Sequence, residues 1–354
     1  MINKRCLTGQ WIKAKQKEIK IDPILIEKAI FTFELLGSLI ENGIHLVFKG
    51  GTSLMLLIPE IKRLSIDLDI VTDEDDKTMD KAFNNIVKGE VFRRWQEDKK
   101  LSKHEIPVRY FKFFYDSPTG PRESYILLDV IQMNSPFSKT VEKQILSPIF
   151  EVENEIKVTI PTVNSLTGDK LSAFAPTSIG IPYGKDKSME IIKQLFDLGV
   201  LFEHITDLKE ISESYKKIAQ VEASYRNLNF PQEEFLTDSI NTALLICQLG
   251  FRGSIENDYT RELRDGLKRI KSHIVGGRYS MLDAKEDASK IACLASLIKE
   301  SRLNIDIERL RQNREDIDRI KDFDLPENLS ILNKLKAISP KSFYLWAIAS
   351  KMIK

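Results

Sequence analysis

Hydrophobic and polar positions alternate along this chain with two periods, and the change from one to the other divides it. Asp22-Pro23 reads as a helix start, a capping carboxylate followed by proline at the first helical position. Ile24, Ile26, Ala29, Ile30, Phe33, Leu36 and Ile40 then recur at helical spacing, and Gly43 is a natural stop. IHLVF (44–48) is short and β-prone; it leads into KGGTSL and a second helix ending near Ile58. RLSIDLDIV (63–71) alternates strictly and predicts a strand over its whole length. A charged helical stretch is expected from Met79 to Lys100. VRYFKFFY (108–115) and SYILLDVIQM (124–133) predict paired antiparallel strands around the Pro- and Gly-bearing turn DSPTGPRE, and IKVTIP (156–161) predicts one more strand. Strand signals end near Ser165. From there the pattern is helical, over roughly 165–174, 187–204, 207–226, 231–249, 256–274, 283–301, 305–321 and 326–353. The expected fold is α/β (α+β): a mixed sheet flanked by helices over residues 1–165, then a mostly helical domain over 166–354.

Composition narrows the picture only a little. Lys plus Arg (53) nearly balance Asp plus Glu (52), so a nucleic-acid site has to come from local clustering. The three cysteines, Cys6, Cys247 and Cys293, are far apart and suit buried free thiols in a reducing compartment. The basic N-terminus has no apolar core of signal-peptide length, and no stretch approaches the roughly 18 apolar residues of a membrane span. The expected location is the cytoplasm.

The candidate chemistry lies on the alternating strand. Side chains of a strand point to opposite faces in turn, so Leu64, Ile66, Leu68 and Ile70 share a core face. Arg63, Ser65, Asp67 and Asp69 share the other. Two carboxylates that close repel unless a cation neutralises them, and oxygen ligands suit Mg²⁺ or Mn²⁺; a solvated edge face is the alternative. Just upstream a strand runs into Gly50-Gly51-Thr52-Ser53 and a helix. Glycines let the backbone approach a ligand, and a helix N-terminus favours phosphate. Asp129, a lone charge in YILLDVIQ, is the candidate third carboxylate for a two-metal site, with an exposed edge position as the alternative.

At these residues the sequence resembles the DNA polymerase β-like nucleotidyltransferase superfamily. More closely, FKGGTSL (48–54) with RLSIDLDI (63–70) is similar to the AbiEii/AbiGii toxin family of type IV toxin–antitoxin and abortive-infection systems. GDKLSAFAPTSIGIPYGK (168–185) and MEIIKQLFDLGVLF (189–202) match its lysine-bearing helix and a later K-x-x-x-D helix. The matched blocks span about 44–202. The resemblance implies metal binding by Asp67 and Asp69, with Asp129 as the superfamily's third acid. It implies phosphate contacts from Gly51, Thr52 and Ser53, with Arg63 and Ser65 on the same face. Lys170 would meet the triphosphate, and Asp197 would orient Lys170 or the nucleotide. Lys193-Gln194 departs from the family's usual basic–Asp pair, leaving the part played by Lys193 open.

The implied reaction is Mg²⁺-dependent transfer of a nucleotidyl group from an NTP to an acceptor hydroxyl, an RNA or tRNA 3′ end, by a growth-arresting toxin with a cognate antitoxin. A protein or small-molecule acceptor, or a nucleotide-binding module with little turnover, are the alternatives. TSIGIPYGKDK reads as a mobile loop over the site, or as a plain connector. Arg261, Arg264, Lys268 and Lys271 line one helical face that RNA phosphates would suit, although such charge runs are usually solvated.

Overall fold

The computed structural model describes residues 1–99, 108–120, 122–311 and 314–351. Lys100 at the end of the expected charged stretch, Pro121 in the hairpin turn, and parts of the last two expected helices (312–313 and 352–353) lie outside these residues. The chain forms two compact units: Met1–Thr162 with Ser272–Arg278, and Val163–Lys271 with Tyr279–Lys354.

The first unit runs α1 (Gly9–Ile19), α2 (Pro23–Glu41), β1 (Val47–Lys49), α3 (Gly50–Leu57), β2 (Leu68–Thr72), α4 (Asp76–Ile86), β3 (Arg94–Glu97), β4 (Val108–Asp116), β5 (Glu123–Gln132), β6 (Thr140–Gln144) and β7 (Lys157–Pro161). The strands form one mixed sheet ordered β3-β4-β5-β2-β1-β7-β6. β1 pairs antiparallel with β2 and parallel with β7, while β2 pairs parallel with β5. Phe48, Leu68, Ile70, Phe111, Phe113, Leu128 and Val130 make the buried face, packed with Phe33 and Leu36 of α2 in one core. α2 starts as its residues dictate, Asp22 accepting from the Ile24 N–H ahead of Pro23. Buried Glu27, on the same helix, accepts from the hydroxyls of Tyr115 (2.9 Å) and Ser117 (3.0 Å), tying the β4–β5 hairpin to α2.

The expected antiparallel hairpin forms, with Asp116 opposite Glu123. Two expectations change in this unit. The strand predicted from Arg63 begins only at Leu68. Its upstream half pairs differently: the Thr32 hydroxyl of α2 donates to the Ile66 carbonyl (2.7 Å), and the Thr52 hydroxyl of α3 to the Asp67 carbonyl (2.7 Å). Helix hydroxyls thus take the carbonyls that a neighbouring strand would have taken. The helical stretch expected to Lys100 stops at Ile86 and gives way to β3. β3 (RWQE) and β6 (TVEKQ) are the two edge strands, largely polar on both faces, and such strands carry no apolar alternation to read.

The second unit contains α5 (Val163–Ala173), α6 (Ser188–Phe202), α7 (Leu208–Tyr225), α8 (Gln232–Gln248), α9 (Asp258–Arg269) and α10 (Met281–Lys299), with shorter helices to Ala349. α10 packs on α6, α8 and the last helix, Pro340–Ala349. The helix expected over 256–274 ends at Arg269. The chain then makes a 3-10 turn, and Ile274 pairs with Arg63 in the first unit. Cys6, Cys247 and Cys293 are buried free thiols. Among the described residues no helix is long and apolar enough to cross a membrane.

Candidate functional site

In the first unit the site grows from the junction of β1 and α3. Gly50 has φ +77°, and a Cβ there would overlap the Asp69 carboxylate. A Cβ on Gly51 would press on the Arg63 guanidinium and, at 2.9 Å, the Ser65 hydroxyl. Both glycines are therefore needed: one for a left-handed turn under Asp69, the other for the close approach of Arg63 and Ser65. We expect Gly50→Ala to cost about 1–3 kcal/mol of stability from backbone strain and overlap together. Thermal denaturation checks this, and an unchanged melting temperature would show that the turn relaxes freely.

Register places the carboxylates. Asp69 lies opposite Lys49 on β1 and opposite Asp129 on β5. In-register neighbours point to the same face, and since Leu68, Leu128, Ile70 and Val130 are buried on the core side, Asp69, Asp129 and Lys49 share the other. Asp69 and Asp129 thus sit on adjacent strands roughly 4.8 Å apart in the pairing direction. Asp67, half-buried, lies two residues before Asp69, outside the strand. Among the described residues no group of three or more carboxylate, imidazole or thiol side chains converges as a metal cluster.

Other expected residues are placed differently from their pattern. Arg63, read as part of a polar face, is buried at 7% exposure. Thr52 and Ser53 are fully buried; the Ser53 hydroxyl donates to the Gly50 carbonyl (2.9 Å) and that of Thr52 to Asp67, as above. Their hydroxyls shape the turn, so a ligand at this turn would meet backbone N–H groups. The segment bearing Arg63 and Ser65 is held by residues from far along the chain. The Leu64 N–H donates to the His273 carbonyl (3.0 Å), and the Val275 N–H to the Lys62 carbonyl (3.0 Å). No local signal in the sequence announces that pairing.

In the second unit Lys170 on α5 and Asp197 on α6 form an ion pair of 2.7 Å, their side chains only 4% and 1% exposed. Lys170 also donates to the Gln194 side-chain oxygen (3.0 Å). Gln194, which stands in the sequence as the departure from the family's basic–Asp pair, thus meets Lys170 through its amide oxygen. Lys193, one residue away, pairs with Glu190 at 3.6 Å on the same helix.

The loop 176–187 is fastened at several points. Asp238 accepts from the Thr177 N–H and the Ser178 hydroxyl (both 2.8 Å), with burial pushing its carboxyl above the usual range. Glu262 accepts from the Gly184 N–H (2.9 Å), Tyr183 stacks on Tyr259 (ring centroids 4.3 Å), and Asp186 pairs with Arg269 (3.1 Å). The loop read as mobile is thereby tied to α8 and α9. The basic face of α9 is diluted in the same way, Arg261 pairing with Asp258 (2.8 Å) and Arg264 with Glu256.

Among curated proteins, none matches the chain. Two solved structures are similar: a nucleotidyltransferase candidate from H. pylori (16% identity, TM-score 0.45, covering 81% of this chain and 99% of that one) and JHP933 from Helicobacter pylori (14%, 0.44, 84% and 99%). Both likenesses are too distant to bear on the site. The family model described as "Nucleotidyl transferase AbiEii toxin, Type IV TA system" matches residues 35–278, more than half of the chain and every site residue described above. The chain belongs to the AbiEii family of nucleotidyltransferase toxins.

Proposed function

We propose that this nucleotidyltransferase moves an NMP group from an NTP onto the 3′ hydroxyl of an RNA, such as a tRNA, releasing pyrophosphate and arresting growth. The observation that supports this most is the Gly50–Gly51 turn seated on Asp69, Arg63 and Ser65, with Asp69 in register beside Asp129. Backbone donors for phosphate and paired carboxylates then occupy one region of the first unit.

The carboxylate oxygens suit a hard divalent cation, Mg²⁺ or Mn²⁺, with Asp69 and Asp129 as its holders and Asp67 two residues before Asp69. Such a cation, when bound, would offset triphosphate charge and favour ionisation of the attacking hydroxyl. The protein's own groups do the positioning. Arg63 offers a guanidinium beside the Gly51 backbone, suited to a phosphate oxygen. Lys170, aimed by Asp197 and Gln194, supplies a cation for the triphosphate. In this reading the protein works in the cytoplasm, and an antitoxin counters it.

The test is incubation of the protein with each labelled NTP, Mg²⁺ and either total RNA or protein lysate. Label entering RNA is expected; label entering protein or small molecules alone overturns the RNA acceptor. Arg261, Lys268 and Lys271 are exposed on the basic face, and Arg261 is paired with Asp258. Replacing Lys268 and Lys271 with Glu is expected to weaken RNA binding and flatten its log–log salt slope by about 1.4, the share of two single-strand phosphate contacts. NTP affinity should hold, and an unchanged slope would return this face to solvent.

A further inference from the structure

Asp197 sits in a turn of α6 whose Phe196/Gly199 face is held by α10 and by Tyr279, two residues before α10 begins. The Tyr279 ring packs edge-on against Phe196 (centroids 5.2 Å). Three residues on, along the same helix face, Gly199 has no side chain because the Asp287 carboxylate fills the space; a Cβ there would overlap it. The two gripping residues are joined, the Tyr279 hydroxyl donating to Asp287 (2.8 Å). Lys290 completes the clamp, reaching Asp287 (3.2 Å), the Gly199 carbonyl (3.5 Å) and Glu203 just past the end of α6 (2.8 Å).

This arrangement is costly to build. Tyr279 is 5% exposed, the Asp287 side chain 13% and that of Lys290 10%. Burial drives the Asp287 carboxyl up to about 6 even with Lys290 and the Tyr279 hydroxyl beside it, and raises the Tyr279 hydroxyl well above its ordinary range. A charged cluster held against desolvation is poor value as packing alone, since apolar residues of similar size usually do as well. What it does supply is a fixed position for the helix turn between Phe196 and Gly199.

We propose that Tyr279 and Asp287 are positioning residues for nucleotide binding: they lock the Phe196–Gly199 turn and so hold the Asp197 carboxylate where it orients Lys170. The proposal rests on the reading that Lys170 meets the triphosphate. Tyr279→Phe removes the hydroxyl donor and keeps the ring on Phe196. Asp287→Ala removes the acceptor, whereas Asp287→Asn keeps an acceptor for Tyr279.

In the full-length protein, calorimetric titration with each NTP is expected to show Tyr279→Phe and Asp287→Ala weakening affinity roughly three- to ten-fold, the scale of one lost hydrogen bond. KM should rise with them while kcat at saturating NTP stays nearly constant, and Asp287→Asn should recover most of the affinity. A role in stability alone predicts a lower melting temperature with unchanged KM, and that result overturns the proposal. Should Asp287→Ala fail to fold, Tyr279→Phe and Asp287→Asn still decide it. A Lys170→Met/Asp197→Leu control separates the two readings. If that control binds NTP normally, the Lys170 reading and this proposal fall together. If it binds weakly while Tyr279→Phe binds like wild type, only the positioning role is lost.

Discussion

Asp69→Asn is expected to lower nucleotidyl transfer by roughly 10²–10³-fold, the scale of removing one preorganised charge-stabilising group from an active site, while the protein stays folded. The substitution keeps the shape of a side chain that the Gly50 turn was built around, so packing is undisturbed. In the absence of metal, stability should change little. Loss of the negative charge relieves repulsion from in-register Asp129 and removes an opposite charge from in-register Lys49, two small effects of opposite sign. Asp129→Asn keeps the Lys49–Asp69 neighbours and relieves the same repulsion. Labelled transfer measured against Mg²⁺ concentration checks the first expectation. Near-normal activity with normal metal dependence in Asp69→Asn would remove this strand from the catalytic account.

Lys170→Met is expected to cost about 3–5 kcal/mol of stability, because it leaves the Asp197 carboxylate buried without its cation. A lysine read from the sequence as meeting the triphosphate would be a binding residue with little effect on folding. Burial at 4% exposure reverses that ranking. The double variant Lys170→Met/Asp197→Leu removes both charges together and should regain most of the loss, since a buried pair and an apolar pair of similar volume are often close in free energy. Activity should not return with stability. NTP affinity in the double variant is expected to remain weaker by about 1.5–3 kcal/mol, one charge-assisted contact. Urea denaturation and calorimetric titration measure the two effects separately. A Lys170→Met protein as stable as wild type would mean that the Asp197 carboxylate does not depend on Lys170 for its compensation.

Much of the first unit was legible because its central strands are buried on one face and so must alternate. The β4–β5 hairpin was readable down to its turn, and α2 was readable from Asp22-Pro23. β3 and β6 were not, since an edge strand can be polar on both sides and still pair. The strand predicted from Arg63 shows the other limit. RLSIDLDIV alternates throughout, yet hydrogen-bonded strand begins at Leu68 because the hydroxyls of Thr32 and Thr52 claim the carbonyls before it. Alternation reports which way side chains point and says nothing about what the backbone pairs with.

The sequence by itself determined the residues on which the candidate site is built: the glycine pair before a helix, the carboxylates two apart, the lone Asp129 and the later lysine and aspartate blocks. These are local patterns, and each depends only on the geometry of one element. Tertiary structure decided which of them meet and in what state. Strand pairing put Asp69 beside Asp129, and the turn at Gly50 had to be bare because Asp69 rests on it. Helix packing buried Lys170 against Asp197 and Gln194, and set Tyr279 and Asp287 against the turn between Phe196 and Gly199. A single chain position carries its own side chain's chemistry, but burial and pairing belong to contacts between residues distant in sequence, which periodicity does not encode.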